Sequence, residues 1–246
     1  MESKMQRTCN WIRKATNGTL QGSPVDKYLV IQGVSTDTRT IHANQLYVPL
    51  VGEQFDGHHF LYQAIKNGAA ATLWQQDHPL PQECEIPIIV VSDTLTALQD
   101  MAGAYRKELP LKVIGVTGSN GKTTTKDLIA STLSMKFNVH KTKGNLNNHI
   151  GVPLTLLSMP ECTEVAVIEM GMNHAGEIKR LSLIAQPDIV VVTNIGESHL
   201  EFLGSREGIA QAKLEIKEGL REDGTIIYDG DEPLLRERLR NDSHKQ

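Results

Sequence analysis

From residue 112 onward, apolar β-branched runs alternate with stretches of helical periodicity. The runs predict strands over 112–117, 137–142, 164–169, 188–193 and 224–228. Between and after them the pattern predicts helices over 123–135, 152–158, 175–185, 206–220 and 231–240. Such alternation implies a parallel sheet covered on both faces by right-handed crossovers. Ligands of these sheets bind outside the carboxyl ends of the strands, and Gly118, Glu169 and the segment 194–199 all fall just past predicted strand ends.

The first hundred residues are less regular. A helix is expected over 5–15, ended by Asn17-Gly18, then a strand from Tyr28 to Val34 leading into the polar run Ser35-Thr-Asp-Thr-Arg-Thr40. That run is either a solvated loop with side-chain turns or a binding loop. Leu46–Leu50 predicts a strand and Gly52–His59 a glycine loop; Phe60, Leu61, Ala64 and Ile65 then mark a helix closed by Asn67-Gly68. A strand follows over Ala69–Trp74, then a proline-rich loop over 77–87, a buried strand over Ile88–Val91, and a helix over Thr94–Glu108 capped by Ser92 or Asp93 and stopped before Pro110. The expected fold class is therefore α/β: a small N-terminal α/β domain over residues 1–110, then a parallel-sheet P-loop domain over 111–246.

Composition narrows the function. The 246 residues suit one or two domains, and the net charge of −4 with few aromatics leaves no basic field or stacking platform for nucleic acid. The longest apolar runs fall far short of the ~20 residues that span a bilayer, and residues 1–20 have no apolar core of signal type. A cytoplasmic protein without membrane insertion is expected. Cys9, Cys84 and Cys162 lie far apart without metal-ligand spacing, and read as reduced and structural.

The chemistry centres on residues 118–124, Gly-Ser-Asn-Gly-Lys-Thr-Thr. A strand breaking into a glycine loop that opens a helix leaves backbone N–H groups around a concavity, sets the positive helix end beneath it, and adds the Lys122 ammonium; a polyphosphate is the natural occupant. The spacing is tighter than the general P-loop, since Val116 stands where that pattern has glycine. Thr123 offers a hydroxyl to Mg2+, and Glu169, closing an apolar strand, is placed as the metal-holding carboxylate. His199 is a metal or phosphate contact beside Glu169, or a surface histidine. Lys213 falls inside the helical stripe of Ile209, Ala212, Ile216 and Leu220, either snorkelling or buried with a depressed pKa that leaves a reactive amine. His58 and His59 are adjacent and point apart, which argues against joint chelation.

Five segments together resemble the Mur ligase family: Thr117–Thr124, Lys143-Gly-Asn-Leu-Asn-Asn148 with Ile150-Gly-Val-Pro153, Ile168-Glu-Met-Gly-Met-Asn-His174, Asn194-Ile-Gly-Glu-Ser-His199, and Ile209-Ala-Gln-Ala-Lys-Leu-Glu-Ile216. Ser35–Arg39 and Gly52–His58 are similar to that family's uridine-nucleotide domain. The resemblance implies an ATP- and Mg2+-dependent ligase of peptidoglycan precursor synthesis, forming an amide through an acyl phosphate. UDP-N-acetylmuramoyl-tripeptide and D-alanyl-D-alanine would be its substrates, and the full-length enzyme a monomer. By position, Gly118, Ser119, Asn120, Gly121, Lys122, Thr123 and Thr124 would bind ATP. Thr123, Glu169, His199 and Lys213, the last as a carbamate, would hold metal, with Lys122, Lys213 and His199 serving catalysis. Thr36, Thr38, Glu53 and Gln54 would lie near the uridine nucleotide, and Asn145, Asn147 and Asn148 near the muramoyl-peptide. The family also has a third, C-terminal domain and a longer central one, so the resemblance implies that the adenine and acceptor sites are completed beyond Gln246. A ligase of folylpolyglutamate type and a nucleotide-binding fragment without turnover are the competing readings.

Overall fold

The computed structural model describes residues 5–198 and 200–246. Backbone contacts divide the chain into two compact units: one runs through Tyr105 and takes in Leu157–Glu161, the other holds Arg106–Leu156 and Cys162–Gln246.

In the first unit, β1 (Gln6–Thr8) leads directly into α1 (Cys9–Ala15), whose N-cap Thr8 accepts from the Trp11 N–H. The expected helix over 5–15 thus gives up its start to a strand, because residues 6–8 pair antiparallel with β3 (Val30–Gln32), a contact no local pattern encodes. The expected strand over 28–34 is likewise divided. After β2 (Thr19–Gln21) and a 3-10 turn at Asp26–Tyr28, β3 ends at Gly33, whose φ of 90° turns the chain into β4 (Val34–Ser35) in a different sheet. Then come β5 (Gln45–Tyr47), α2 (Leu61–Lys66), β6 (Ala69–Gln75), β7 (Ile88–Val91) and α3 (Thr94–Glu108). Asp93 takes the cap position of α3, accepting from the Thr96 N–H at 2.6 Å. The five-stranded sheet runs β2-β7-β6-β5-β4, with β2 antiparallel and the rest parallel. Tyr47, Leu61, Ala64 and Trp74 are buried together in its core.

The second unit contains β8 (Lys112–Thr117), α4 (Lys122–Leu133), β9 (Val139–Lys141), α5 (Gly151–Leu157, whose last residue groups with the first unit), β10 (Val165–Glu169), α6 (Glu177–Ala185) and β11 (Ile189–Val192). It continues with α7 (Leu200–Leu203), α8 (Arg206–Leu214), β12 (Thr225–Tyr228) and α9 (Pro233–Leu239). The short α7 has no counterpart in the pattern, and the expected helix over 206–220 tightens into a 3-10 turn at Glu215–Gly219. The sheet is wholly parallel in the order β12-β11-β8-β10-β9. The central β8 and β10 are buried along nearly their whole length, which explains their unbroken apolar runs. Among the described residues no helix is long and apolar enough to cross a membrane.

Candidate nucleotide site

The carboxyl ends of β8, β9, β10 and β11 converge on the Gly118–Thr123 loop, and hydrogen bonds join them. The Thr193 N–H donates to the Thr117 carbonyl, the Met170 N–H to Val116, and the Thr117 hydroxyl to the Met170 carbonyl, all at 2.9 Å. Gly118 (φ 146°) and Gly121 (φ 76°) supply the positive-φ bends of the turn. Its first half is tied down: the Ser119 N–H donates to the Asn194 carbonyl at 3.1 Å, and the Asn120 N–H to Asn194 Oδ1 at 2.9 Å. The Gly196 N–H returns a bond to Ser119 Oγ at 2.8 Å. Asn194 therefore shapes the loop with both backbone and side chain, a role invisible in sequence because asparagine past a strand reads as an ordinary turn residue.

The second half of the loop faces outward. α4 begins after Gly121 with no side chain capping it, so the amides of its first turn are open to an anion. Lys122 Nζ donates to the Gly118 carbonyl at 2.8 Å. Burial pulls the Lys122 pKa down, against the opposing pull of the Glu169 charge.

Glu169, the last residue of β10, is 2% exposed and fully engaged. Its Oε2 accepts from the Thr123 hydroxyl at 2.9 Å, its Oε1 from the Asn147 amide at 2.8 Å, and its own N–H donates to Thr142 Oγ1 at 2.9 Å. The pairing of Thr123 with Glu169 brings together two hard oxygen donors, the kind a Mg2+ ion takes. Lys213 on α8 is 2% exposed, amid buried Ile209, Ala212 and Ile216, as the helical stripe requires. Burial first, then repulsion by Lys122, brings its pKa down to about 8.

The remaining sequence candidates separate. Asn145 and Asn148 are exposed on the loop after β9, whereas the Asn147 side chain turns inward to Glu169. Thr124 is exposed on α4. His199 lies outside the described residues. Thr36, Thr38, Glu53 and Gln54 belong to the first unit, on loops that leave the same end of the paired strands β4 and β5. Asp37 holds the first loop by accepting from the Arg39 N–H and guanidinium at 2.9 and 2.7 Å, and the Asn67 amide donates to the Thr38 carbonyl at 2.7 Å. Glu53 and Gln54 are exposed. Tyr47 carries the end of β5; burial, then the Asp37 and Asp56 charges, push its hydroxyl up to about 12.

Asp56, His58 and His78 cluster below that second loop, with potential ligand atoms within 4.8 Å of one another. His58 Nε2 accepts from the Gln75 N–H at 3.2 Å, which leaves its proton on Nδ1 to bond Asp56 at 2.7 Å. Both ring nitrogens are thereby used in holding the loop, and His59 stays exposed. Cys9 is buried, and burial ahead of the Asp26 charge pushes its thiol up to about 11, so it packs as an inert apolar group.

The family described as Mur ligase middle domain matches residues 116–246, and that described as Mur ligase family, catalytic domain, matches residues 30–106. The chain belongs to the Mur ligase family. Among Mur ligases it is 58% identical over 231 residues to UDP-N-acetylmuramoyl-tripeptide--D-alanyl-D-alanine ligase of Bacillus subtilis strain 168, covering 94% of this chain and 50% of that protein. The Escherichia coli K12 ligase of the same name is 40% identical over 224 residues, covering 91% and 48%. A crystal structure of MurF from Acinetobacter baumannii superposes with TM-score 0.89 at 35% identity, over 99% of this chain and 53% of that one. MurF ligase from Thermotoga maritima in complex with ADP superposes at 0.76 and 32% identity, over 87% and 49%. The chain spans about half the length of the curated Mur ligases it matches.

Proposed function

We propose that this chain carries the uridine-nucleotide and ATP-binding parts of a ligase that joins D-alanyl-D-alanine to UDP-N-acetylmuramoyl-tripeptide through an acyl phosphate. The observation that carries the reading is the convergence of the open first turn of α4, the Thr123–Glu169 pair and the buried Lys213 amine within one unit of a chain so similar to the Bacillus ligase.

The ATP phosphates would lie against the amides opening α4, with Lys122 released from the Gly118 carbonyl to meet them. Thr123, Glu169 and Lys213, together with His199, would hold Mg2+, which when bound offsets phosphate charge. A neutral Lys213 amine adds to CO2, forming an N–C bond and losing a proton, so that a carbamate anion replaces a cation. Lys122 and the loop amides then lower the repulsion between the γ-phosphate and the substrate carboxylate, whose oxygen takes the γ-phosphoryl group as its bond to ADP breaks and ADP leaves. The dipeptide amine attacks the resulting acyl phosphate and inorganic phosphate leaves. Thr36, Thr38, Glu53 and Gln54 are assigned to the uridine nucleotide; Asn145, Asn147 and Asn148 are assigned to the muramoyl-peptide.

Titration calorimetry with Mg-ADP tests this reading. Lys122→Ala should abolish binding while the protein stays folded, because the half-buried ammonium bonds only the Gly118 carbonyl, and more weakly the Ser119 carbonyl, of the loop it would leave for the phosphates; undiminished affinity in the folded variant would refute the phosphate-loop assignment. Binding of UDP-N-acetylmuramoyl-tripeptide but not of a folate separates this ligase from the folylpolyglutamate type.

A further inference from the structure

Lys126 is a buried cation to which the proposed reaction gives no task. It lies on α4 one turn beyond Thr123, its side chain 3% exposed, and donates to the Thr142 carbonyl at 2.9 Å. Asp127, 3.3 Å away, is its paired charge and is shared with Lys141 at 2.7 Å. Burying an ammonium is costly, and a methionine would fill similar space without a charge. The cost calls for a return in what the ammonium holds.

What it holds is Thr142, fully buried just past β9. The pairing of β9 with β10 ends at Lys141 opposite Val167, after which a single backbone bond, from the Thr142 N–H to the Val167 carbonyl at 3.1 Å, continues the ladder. Thr142 has two remaining polar groups. Its carbonyl accepts from Lys126, and its hydroxyl accepts the N–H of Glu169 at 2.9 Å. From this residue the chain enters the loop that carries Asn147, whose amide reaches the Glu169 carboxylate.

We propose that Lys126 is a positioning residue for the metal-holding carboxylate. Through Thr142 it fixes the backbone of Glu169 and the root of the 143–148 loop. α4 therefore reaches Glu169 twice, at the side chain through Thr123 and at the main chain through Lys126 and Thr142. The inference rests on the nucleotide-site reading, which gives Glu169 its task. The Glu169 carboxylate is held by groups that start from the phosphate helix and from the loop assigned to the muramoyl-peptide, so occupation of either bears on its aim.

The test uses the whole chain, with ADP binding titrated calorimetrically at a series of Mg2+ concentrations and again in excess chelator. Lys126→Met should raise the Mg2+ concentration needed for half of the metal-dependent tightening by about 10-fold or more, the usual effect of removing a group that orients a ligand. Its chelator affinity for ADP should stay within about twofold of the unaltered chain, since the loop amides are untouched. A lysine that only stabilised the fold would lower the unfolding temperature and leave the Mg2+ dependence in place, and that result in folded Lys126→Met overturns the proposal. If Lys126→Met does not fold, Thr142→Val decides: it keeps the volume and removes only the hydroxyl, so unchanged Mg2+ dependence overturns the proposal and a shifted one supports it. Failure of the unaltered chain to bind ADP under any condition would instead overturn the nucleotide-site reading, and the task of Lys126 with it.

Discussion

Three glycine-to-alanine substitutions separate steric overlap, backbone strain and helix propensity within one molecule. At Gly118 the backbone has φ of 146°, and an added Cβ would overlap Thr193 Oγ1 and lie 3.2 Å from the Asn194 nitrogen. Thr193 would have to rotate away, breaking its 2.6 Å bond to the Asn120 carbonyl. Strain of about 1–3 kcal/mol and a lost hydrogen bond of about 1 kcal/mol put Gly118→Ala at about 2–4 kcal/mol of destabilisation. At Gly121, φ is 76° but nothing lies within 4 Å, so only the left-handed cost of about 1–2 kcal/mol remains. Gly103, inside α3, also has nothing within 4 Å and no positive φ, so alanine there should stabilise by about 0.5–1 kcal/mol. Urea unfolding of the three variants gives the order directly. At about 2–4 °C per kcal/mol, Gly118→Ala should lower the unfolding temperature by roughly 4–16 °C, and ADP affinity should fall with it. Equal destabilisation by Gly118→Ala and Gly121→Ala would refute the close approach of Thr193, and with it the account of how the loop is held.

Lys213 predicts a pH signature. Its pKa of about 8 in the folded chain lies below the ordinary 10.5, so between those values the unfolded chain binds more protons and stability should rise with pH; below about 8 the penalty is present in full. Lys213→Met should remove that rise in CO2-free buffer and stabilise the protein near neutrality by about 3 kcal/mol, which urea titrations at a series of pH values would show; an unaltered slope would place the titrating group elsewhere. Asp188 is 8% exposed, accepts from the Val113 N–H and from Lys112 Nζ at 2.9 and 2.8 Å, and lies 3.6 Å from the buried Arg106 guanidinium. Asp188→Ala leaves that guanidinium without a carboxylate, held only by the Ala185, Gln186 and Leu109 carbonyls, and should cost about 3–5 kcal/mol in urea unfolding; a loss below about 1 kcal/mol would mean that the pair behaves as an exposed one.

The parts of the fold legible in the sequence are those whose burial leaves a local trace. β8 and β10 are covered on both faces and so read as continuous apolar runs, and Lys213 could be placed on the buried face of α8 by helical arithmetic alone. The phosphate loop was legible because its geometry demands glycines at set positions. What stayed hidden depends on partners distant in the chain. Residues 6–8 are Gln-Arg-Thr and extend only because β3 pairs with them. The strand expected over 28–34 breaks because Gly33 serves two sheets, which a run of apolar residues cannot signal. The duties of Thr142, Asn194 and Lys126 are hydrogen bonds to backbone groups 16 to 75 positions away, and nothing in a polar residue's own neighbourhood announces them.

The unequal tethering of the Gly118–Thr123 loop also sets a clock on its amide protons. Loops ordinarily exchange these with solvent far faster than strands do, because their backbone bonds open singly. Here the Ser119, Asn120 and Gly196 protons are held in bonds between the segments that follow β8 and β11, so they should exchange later than those of an untethered loop. The protons at the start of α4 have no such enclosure and should be lost early. A single short turn thus contains a slow half and a fast half, and the fast half is what an arriving phosphate would slow.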